Sequence, residues 1–350
     1  MSEDIDISRL KSHFSVDLEW LSRHREDIVE PDLEIVDAHH HVWDMPGSRY
    51  LFDEVMNDFN SGHRIVSSVY AQCHSMYRTE GPTEMRPVGE TEFVSGIAQR
   101  GAASAYCSTA LCAGIVGSAD LMLGAGIEPV LLAHMQAGGG RFRGIRPTVA
   151  WHESPQLRVL ELQPNILMRK AAREAIGCME KLNLSLDLWV FYTQLDEVVD
   201  ICRAFPGLTV VVNHTAGIVD RGPYASKQKE MFAEWREKVH ELARCPNVVL
   251  KLGGLAKRYG GLRRDTLAEP PSSDLLVDRW NDCIQLCIDA FSPHRCMFES
   301  NFPVDRGSCN YHVLWNAFKK ITRGYTPAER QRLFSLTAAE TYRLPARASR

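Results

Sequence analysis

The 350-residue chain has no C-x-x-C pair among its ten cysteines, which lie scattered from Cys73 to Cys309. That spacing excludes a zinc ribbon and a disulfide framework and reads as free thiols in a reducing compartment. No run of ~18 apolar residues is present, so no transmembrane helix is expected. The opening MSEDIDISRLKSHF lacks the apolar core of a secretory signal and is too acidic for a transit peptide. The formal charge is only −4, which gives no electrostatic case for nucleic acid or an anionic membrane. There is no internal repeat, low-complexity tract or linker, and no Gly-rich first turn of a dinucleotide fold. What remains is the composition of a globular protein, 45% hydrophobic and 24% charged. The expected location is cytoplasmic, and the expected partner is a small-molecule substrate, with a homo-oligomer compatible.

The most informative stretch is EIVDAHHHVWD, residues 34–44. It reads as a buried strand. Regular alternation sends Asp37, His39, His41 and Trp43 to one face and Val36, Ala38, His40 and Val42 to the other. An acid and two imidazoles on one buried face are costly unless they pair, bind metal or do chemistry.

Seven more short apolar segments follow, at 65–73, 113–120, 143–150, 184–192, 208–213, 247–252 and 295–300. Helical periodicity intervenes at 94–112, 130–137, 166–182, 195–205, 230–244 and 274–291, with further helices at 311–321 and 327–342. Eight strand-then-helix units predict an α/β architecture, a (β/α)8 or TIM barrel, in preference to an open doubly wound sheet. The predicted boundaries are a charged helical extension at 1–33, the barrel at 34–344 and a tail at 345–350. The extension has Leu10, Phe14, Leu18 and Leu21 at amphipathic spacing and is expected to pack on the outside of the domain or against a partner.

Barrel enzymes carry their chemistry at the C-terminal ends of the strands. The candidates there are His39 and His41, Arg78, Arg143 and Arg146, Tyr192, His214, Lys251, Glu299, Asn301 and Asp305. Arg146 and Lys251 also read as strand-end cations paired with Asp187 or Glu299. Trp151 and Trp189 read as packing residues, and His63, His240 and His294 as solvated.

These residues carry a resemblance to the amidohydrolase superfamily, in the branch that holds sugar lactonases and pyrone-dicarboxylate lactonases. Its marks include DAHHHVWD (37–44), PVGETEFVSGIA (87–98), RFRGIR (141–146), VVNHTAGI (211–218), NVVLKLGGL (247–255) and SNFPVD (300–305). The resemblance implies a distorted (β/α)8 barrel and hydrolysis, chiefly of lactones. It matches His39, His41 and His214 to metal or substrate histidines. Two positions depart from the pattern: Tyr192 stands where relatives commonly have a histidine, and Asn301 where they have a proton-accepting aspartate. Asparagine has no such carboxylate. Asp305 or Glu299 is expected to take over as base, Asp305 by slight preference.

The expected activity is a hydrolase, a lactonase that opens a small carboxylated or sugar-derived lactone with activated water. His39, His41 and His214, holding a divalent metal such as zinc or acting without one, are to polarise the carbonyl. Arg78, Arg143, Arg146, Tyr192, Lys251 and Asn301 are to bind the substrate. The alternatives are a metal-dependent decarboxylase on the same fold and a non-catalytic ligand-binding barrel.

Overall fold

The computed structural model describes residues 16–45, 48–158, 162–256, 259–260, 262 and 266–345. Eight parallel strands follow one another in chain order around the sheet: β1 (Glu34–His40), β2 (Arg64–Ala71), β3 (Ala110–Gly117), β4 (Phe142–Ile145), β5 (Ser185–Leu188), β6 (Val210–Val212), β7 (Val248–Leu252) and β8 (Cys296–Phe298). The chain just beyond β8 closes the ring. Asn301 N–H donates to the His39 carbonyl and His41 N–H to the Phe302 carbonyl, each at 2.8 Å. The sheet is thus a nearly closed TIM barrel. The ten cysteines are free, and no helix among the described residues is long and apolar enough to cross a membrane.

Two apolar layers account for the strand sequences. A large outer core joins the strands to the helices, and a smaller cluster fills the barrel floor with Val36, Ala38, Val69, Val116, Val211 and Met297. Tyr342 and Ala338, from the C-terminal segment, belong to that inner cluster and plug the floor.

This placement corrects the alternation expected for β1. Val36 and Ala38, expected to face the helices, point into the barrel. Asp37 instead accepts from Tyr311 Oη at 3.0 Å, on the outer helix Tyr311–Ile321, and from Ser300 N–H at 2.9 Å. The register between β1 and β2 shifts between Asp37 and His40. That irregularity reverses the alternation, so His39 and His41 face inward after all. His40 faces outward, against Ser68 Oγ at 2.9 Å and the Phe59 ring.

Element bounds also differ. The helix expected at 94–112 runs Val88–Ala103 because Pro87 starts it. The expected helix at 327–342 is broken by a π-turn at Arg332–Leu336. Beyond β1, Trp43–Met45 pairs antiparallel with Ser48–Tyr50, and a helix, Phe52–Phe59, follows. His63, expected in solvent, is buried beside Lys319 Nζ at 2.9 Å.

Leu10 and Phe14 lie outside the described residues. The segment that follows is bound along the outside of the barrel. Glu26 accepts from Ser273 N–H at 2.6 Å, Ser273 Oγ at 2.5 Å and Asn316 Nδ2 at 3.0 Å. Lys319 Nζ donates to the carbonyls of Val29 and Glu30. Burial raises the Glu26 carboxyl, but the hydrogen bonds from Ser273, His24 and Asn316 outweigh it and bring the pKa from 4.5 to about 2. A depressed folded pKa contributes stability above the unfolded value, and this is lost as pH falls toward 2. Glu26→Gln is expected to lower stability at pH 7 by about 1–3 kcal/mol. It is also expected to flatten the acid limb between pH 4.5 and 2, as read by urea unfolding across pH.

Candidate active site

The inward side chains at the C-terminal ends of β1, β4, β6 and β8 meet in one buried cluster. His39 Nε2 lies 3.3 Å from His41 Nε2. The His39 and His214 rings are 4.9 Å apart. Glu299 sits between them: Oε1 accepts from His214 Nδ1 at 2.7 Å and from its backbone N–H at 2.9 Å, while Oε2 lies 3.0 Å from His39 Nδ1. That Oε2 contact is close but off-line, and the oxygen is buried with no hydrogen bond. His41 is oriented by the Ala71 carbonyl, 2.8 Å from Nδ1. A carbonyl only accepts, and at 2.8 Å it outweighs Asn301 Oδ1, 3.3 Å from Nε2, so His41 carries its hydrogen on Nδ1 and presents an electron pair at Nε2.

The backbone after β6 is bent to make this possible. His214, Thr215 and Ala216 have φ of 56°, 51° and 51°, a left-handed run that is costly outside glycine. Thr215 Oγ1 ties the turn to both Gly253 N and Gly253 O. Gly253 and Gly254 then pass so close that a Cβ on Gly254 would lie 2.3 Å from His214 Nδ1, and one on Gly253 would lie 2.6 Å from Glu299 Cγ. The NVVLKLGGL motif thus supplies absent side chains. No local pattern signals that role, because the clash is with residues 40 or more positions away.

Arg146 is the cation of the cluster. Its Nε donates to Asn213 Oδ1 at 3.0 Å and one terminal nitrogen to the Gln72 carbonyl at 3.1 Å; the other lies 3.5 Å from His214 Nε2. Burial pushes the Glu299 carboxyl up to about 7, against the pull of Lys251, the His214 amide and Arg146. Burial, together with Lys251 for His39 and Arg146 for both, holds His39 and His41 well below the usual imidazole value, so both are neutral at pH 7. Trp43 stacks on His41 with ring centroids 5.8 Å apart, and the Arg146 guanidinium lies 5.9 Å from the Trp189 ring.

The remaining expected site residues divide. Asn301 Oδ1 lies 3.3 Å from His41 Nε2, and Asn301 Nδ2 donates to Asp305 Oδ1 at 3.1 Å. Asp305 Oδ2 accepts from Ala256 N–H at 3.4 Å. The carboxylate in contact with the imidazoles is Glu299, not Asp305. Lys251 is fully buried and paired with Asp187 at 2.9 Å, as a strand cation rather than a mouth residue. Arg143 is at the entry end of β4 and donates to the carbonyls of Gly140, Phe142, Tyr342 and Arg343, on the barrel floor. Arg78 pairs with exposed Glu92 on the surface. Tyr192 donates to Glu234 in the helix layer. Arg143, Arg78 and Tyr192 therefore do not join the cluster.

The donor set fits a divalent cation. His39, His214 and Glu299 offer ligand atoms all within 4.8 Å of one another. Two nitrogens held by one tetrahedral zinc lie roughly 3.3 Å apart for Zn–N of about 2.0–2.1 Å, the spacing of the His39 and His41 Nε2 atoms. The hydrogen-bond-free Glu299 Oε2 is a buried anionic donor on the Nδ1 side of His39.

Comparison with known proteins agrees with this architecture. The amidohydrolase family model matches residues 36–344. An L-fucono-1,5-lactonase of Burkholderia ambifaria is 27% identical over 88% of this chain and 95% of its own length. A zinc-bound amidohydrolase structure from Burkholderia multivorans superposes with a TM-score of 0.65 at 23% identity, covering 89% of this chain and 99% of that one. A manganese-bound 5-carboxyvanillate decarboxylase from Novosphingobium aromaticivorans superposes with a TM-score of 0.58 at 10% identity, covering 90% and 97%.

Proposed function

The chain belongs to the amidohydrolase family, and from that premise we propose that it is a lactonase, opening a small carboxylated or sugar-derived lactone with water. The observation that carries the reading is Glu299, a buried carboxylate clasped by His39 and His214 where the usual acceptor position holds Asn301. The curated lactonase relative supports the reaction class.

In this reading Glu299 takes a proton from the attacking water and later returns it to the ring oxygen that leaves as an alcohol. A carboxyl near pH 7 suits both steps, since general acid–base catalysis works best with a pKa close to the working pH. Arg146 keeps donors beyond those used on Asn213 and Gln72, because a guanidinium has five N–H groups. They stabilise the carbonyl oxygen as it gains charge, or hold a substrate carboxylate. His39, His41 and His214 are the residues that would hold a divalent metal, with Glu299 left as the base. Such an ion, when bound, supplies Lewis acidity toward the carbonyl and lowers the pKa of water. Trp43 and Trp189 wall the cluster and exclude solvent.

A decarboxylase reading has the likeness of fold to support it. It needs no water nucleophile, and so leaves the placement of Glu299 without a purpose. The test is a panel of sugar-derived lactones and pyrone carboxylates read by pH indicator, with metal content measured on the same protein. Acid release from at least one lactone is expected. Inert lactones together with carbon dioxide release from an aromatic acid would replace this reading with the other.

A further inference from the structure

The lysine beneath the cluster explains how His39 is kept ready. His39 Nδ1 has two neighbours of opposite kind: Lys251 Nζ at 3.5 Å and Glu299 Oε2 at 3.0 Å. An ammonium only donates, so a full bond from Lys251 needs an electron pair on Nδ1 and sends the ring hydrogen to Nε2. There it would fill the 3.3 Å gap to His41 Nε2 as a hydrogen bond. A carboxylate only accepts, so Glu299 Oε2, off-line for a hydrogen bond but only 3.0 Å away, favours by its charge the hydrogen on Nδ1 and an electron pair on Nε2. At His41 the shorter contact decides: the Ala71 carbonyl at 2.8 Å outweighs Asn301 Oδ1 at 3.3 Å from Nε2 and keeps the hydrogen on Nδ1. The tautomer of His39 is therefore the variable that decides whether two electron pairs converge or cancel.

What decides it is the position of Lys251. Its ammonium is closer to Asp187 Oδ2, at 2.9 Å, than to His39. Tyr342 Oη donates to the same Asp187 oxygen at 2.5 Å, and Ser185 Oγ holds the other oxygen at 3.0 Å. All four side chains are buried. We propose that Asp187 and Tyr342 are positioning residues that hold the Lys251 ammonium off His39 Nδ1, leaving the Nε2 electron pairs of His39 and His41 aimed at one point. Tyr342 comes from the C-terminal segment that plugs the barrel floor, so the end of the chain acts on the site through a buried polar line. The inference rests on the reading above in one respect, that these two electron pairs are what the site uses.

The test reads the tautomer directly. The zinc-free full-length protein, with nitrogen-15 histidine, is examined by long-range proton–nitrogen NMR; His39 is assigned with His39→Gln, and zinc chloride binding is titrated by calorimetry. The native protein is expected to carry the His39 hydrogen on Nδ1. Asp187→Asn is expected to move it to Nε2 and to weaken zinc binding by about 10–100-fold, the range for partners of a ligating histidine. Adding Lys251→Met to Asp187→Asn removes the competing donor and is expected to return both readouts toward native. Tyr342→Phe, which keeps the ion pair, is expected to move both in the direction of Asp187→Asn by less. It decides the matter if Asp187→Asn does not fold. A His39 hydrogen that stays on Nδ1 in folded Asp187→Asn or in Tyr342→Phe overturns the proposal, as does a double variant no different from Asp187→Asn. A native protein inert to every lactone but showing these shifts would sink the functional reading and leave this one standing.

Discussion

Glu299→Gln is expected to lower kcat for lactone opening by about 10²–10⁴-fold, the usual worth of a positioned general base, while the protein stays folded. The carboxylate is fully buried, and its Oε1 accepts from both the His214 ring and the His214 backbone. A glutamine oxygen at Oε1 preserves those bonds, so the barrel keeps its shape. The side-chain amide, however, has no basic oxygen to take a proton. Asp305 does not substitute, because its carboxylate is engaged with Asn301 Nδ2 and the Ala256 amide rather than with an imidazole. Steady-state kinetics on the best lactone of the panel, with circular dichroism as the control for folding, measures the effect. An Asp305→Asn variant with the larger loss would transfer the base to Asp305.

Gly254→Ala is expected to reduce activity by about 10²-fold without touching any ionisable group, because a shift of ~1 Å in a catalytic group has that effect. The new methyl would sit 2.3 Å from His214 Nδ1 and 2.4 Å from its Cγ, distances no pair of heavy atoms accepts. The backbone there has φ of 63°, so alanine adds strain of about 1 kcal/mol or more. His214 has little room to retreat, being held by Glu299 on one side and close to Arg146 on the other. Gly96→Ala, where nothing lies within 4 Å of the new methyl, is the control and should leave kinetics unchanged. Equal kinetics for the two variants would mean that His214 need not stay where it is.

The barrel and the convergence of His39, His41, His214 and Glu299 were legible in the chain because both follow from local rules. Short apolar segments alternating with helices can bury both faces only as a parallel sheet, and strand ends of such a sheet share one mouth. What was not legible depends on register and on distant neighbours. Regular alternation put Asp37 with the histidines, whereas the irregularity after Ala38 sends it out to Tyr311. Arg143 and Arg146 looked equivalent in RFRGIR, but β4 spans only Phe142–Ile145, so one lies at the floor and the other at the mouth. Tyr192 falls beyond the end of β5, in a turn that faces the outer helices. The burial of His63 comes from Lys319, 256 positions away, which no local pattern reports.

Lactone hydrolysis is tested most directly by mass spectrometry of the product formed from the best-accepted lactone in water enriched in oxygen-18. Hydrolysis at the carbonyl predicts a hydroxy acid carrying one heavy oxygen in its carboxylate, with no carbon dioxide released, and loss of that product in Glu299→Gln. A product one carboxyl group smaller than its substrate, or the same labelled acid formed at native rate by Glu299→Gln, would contradict it.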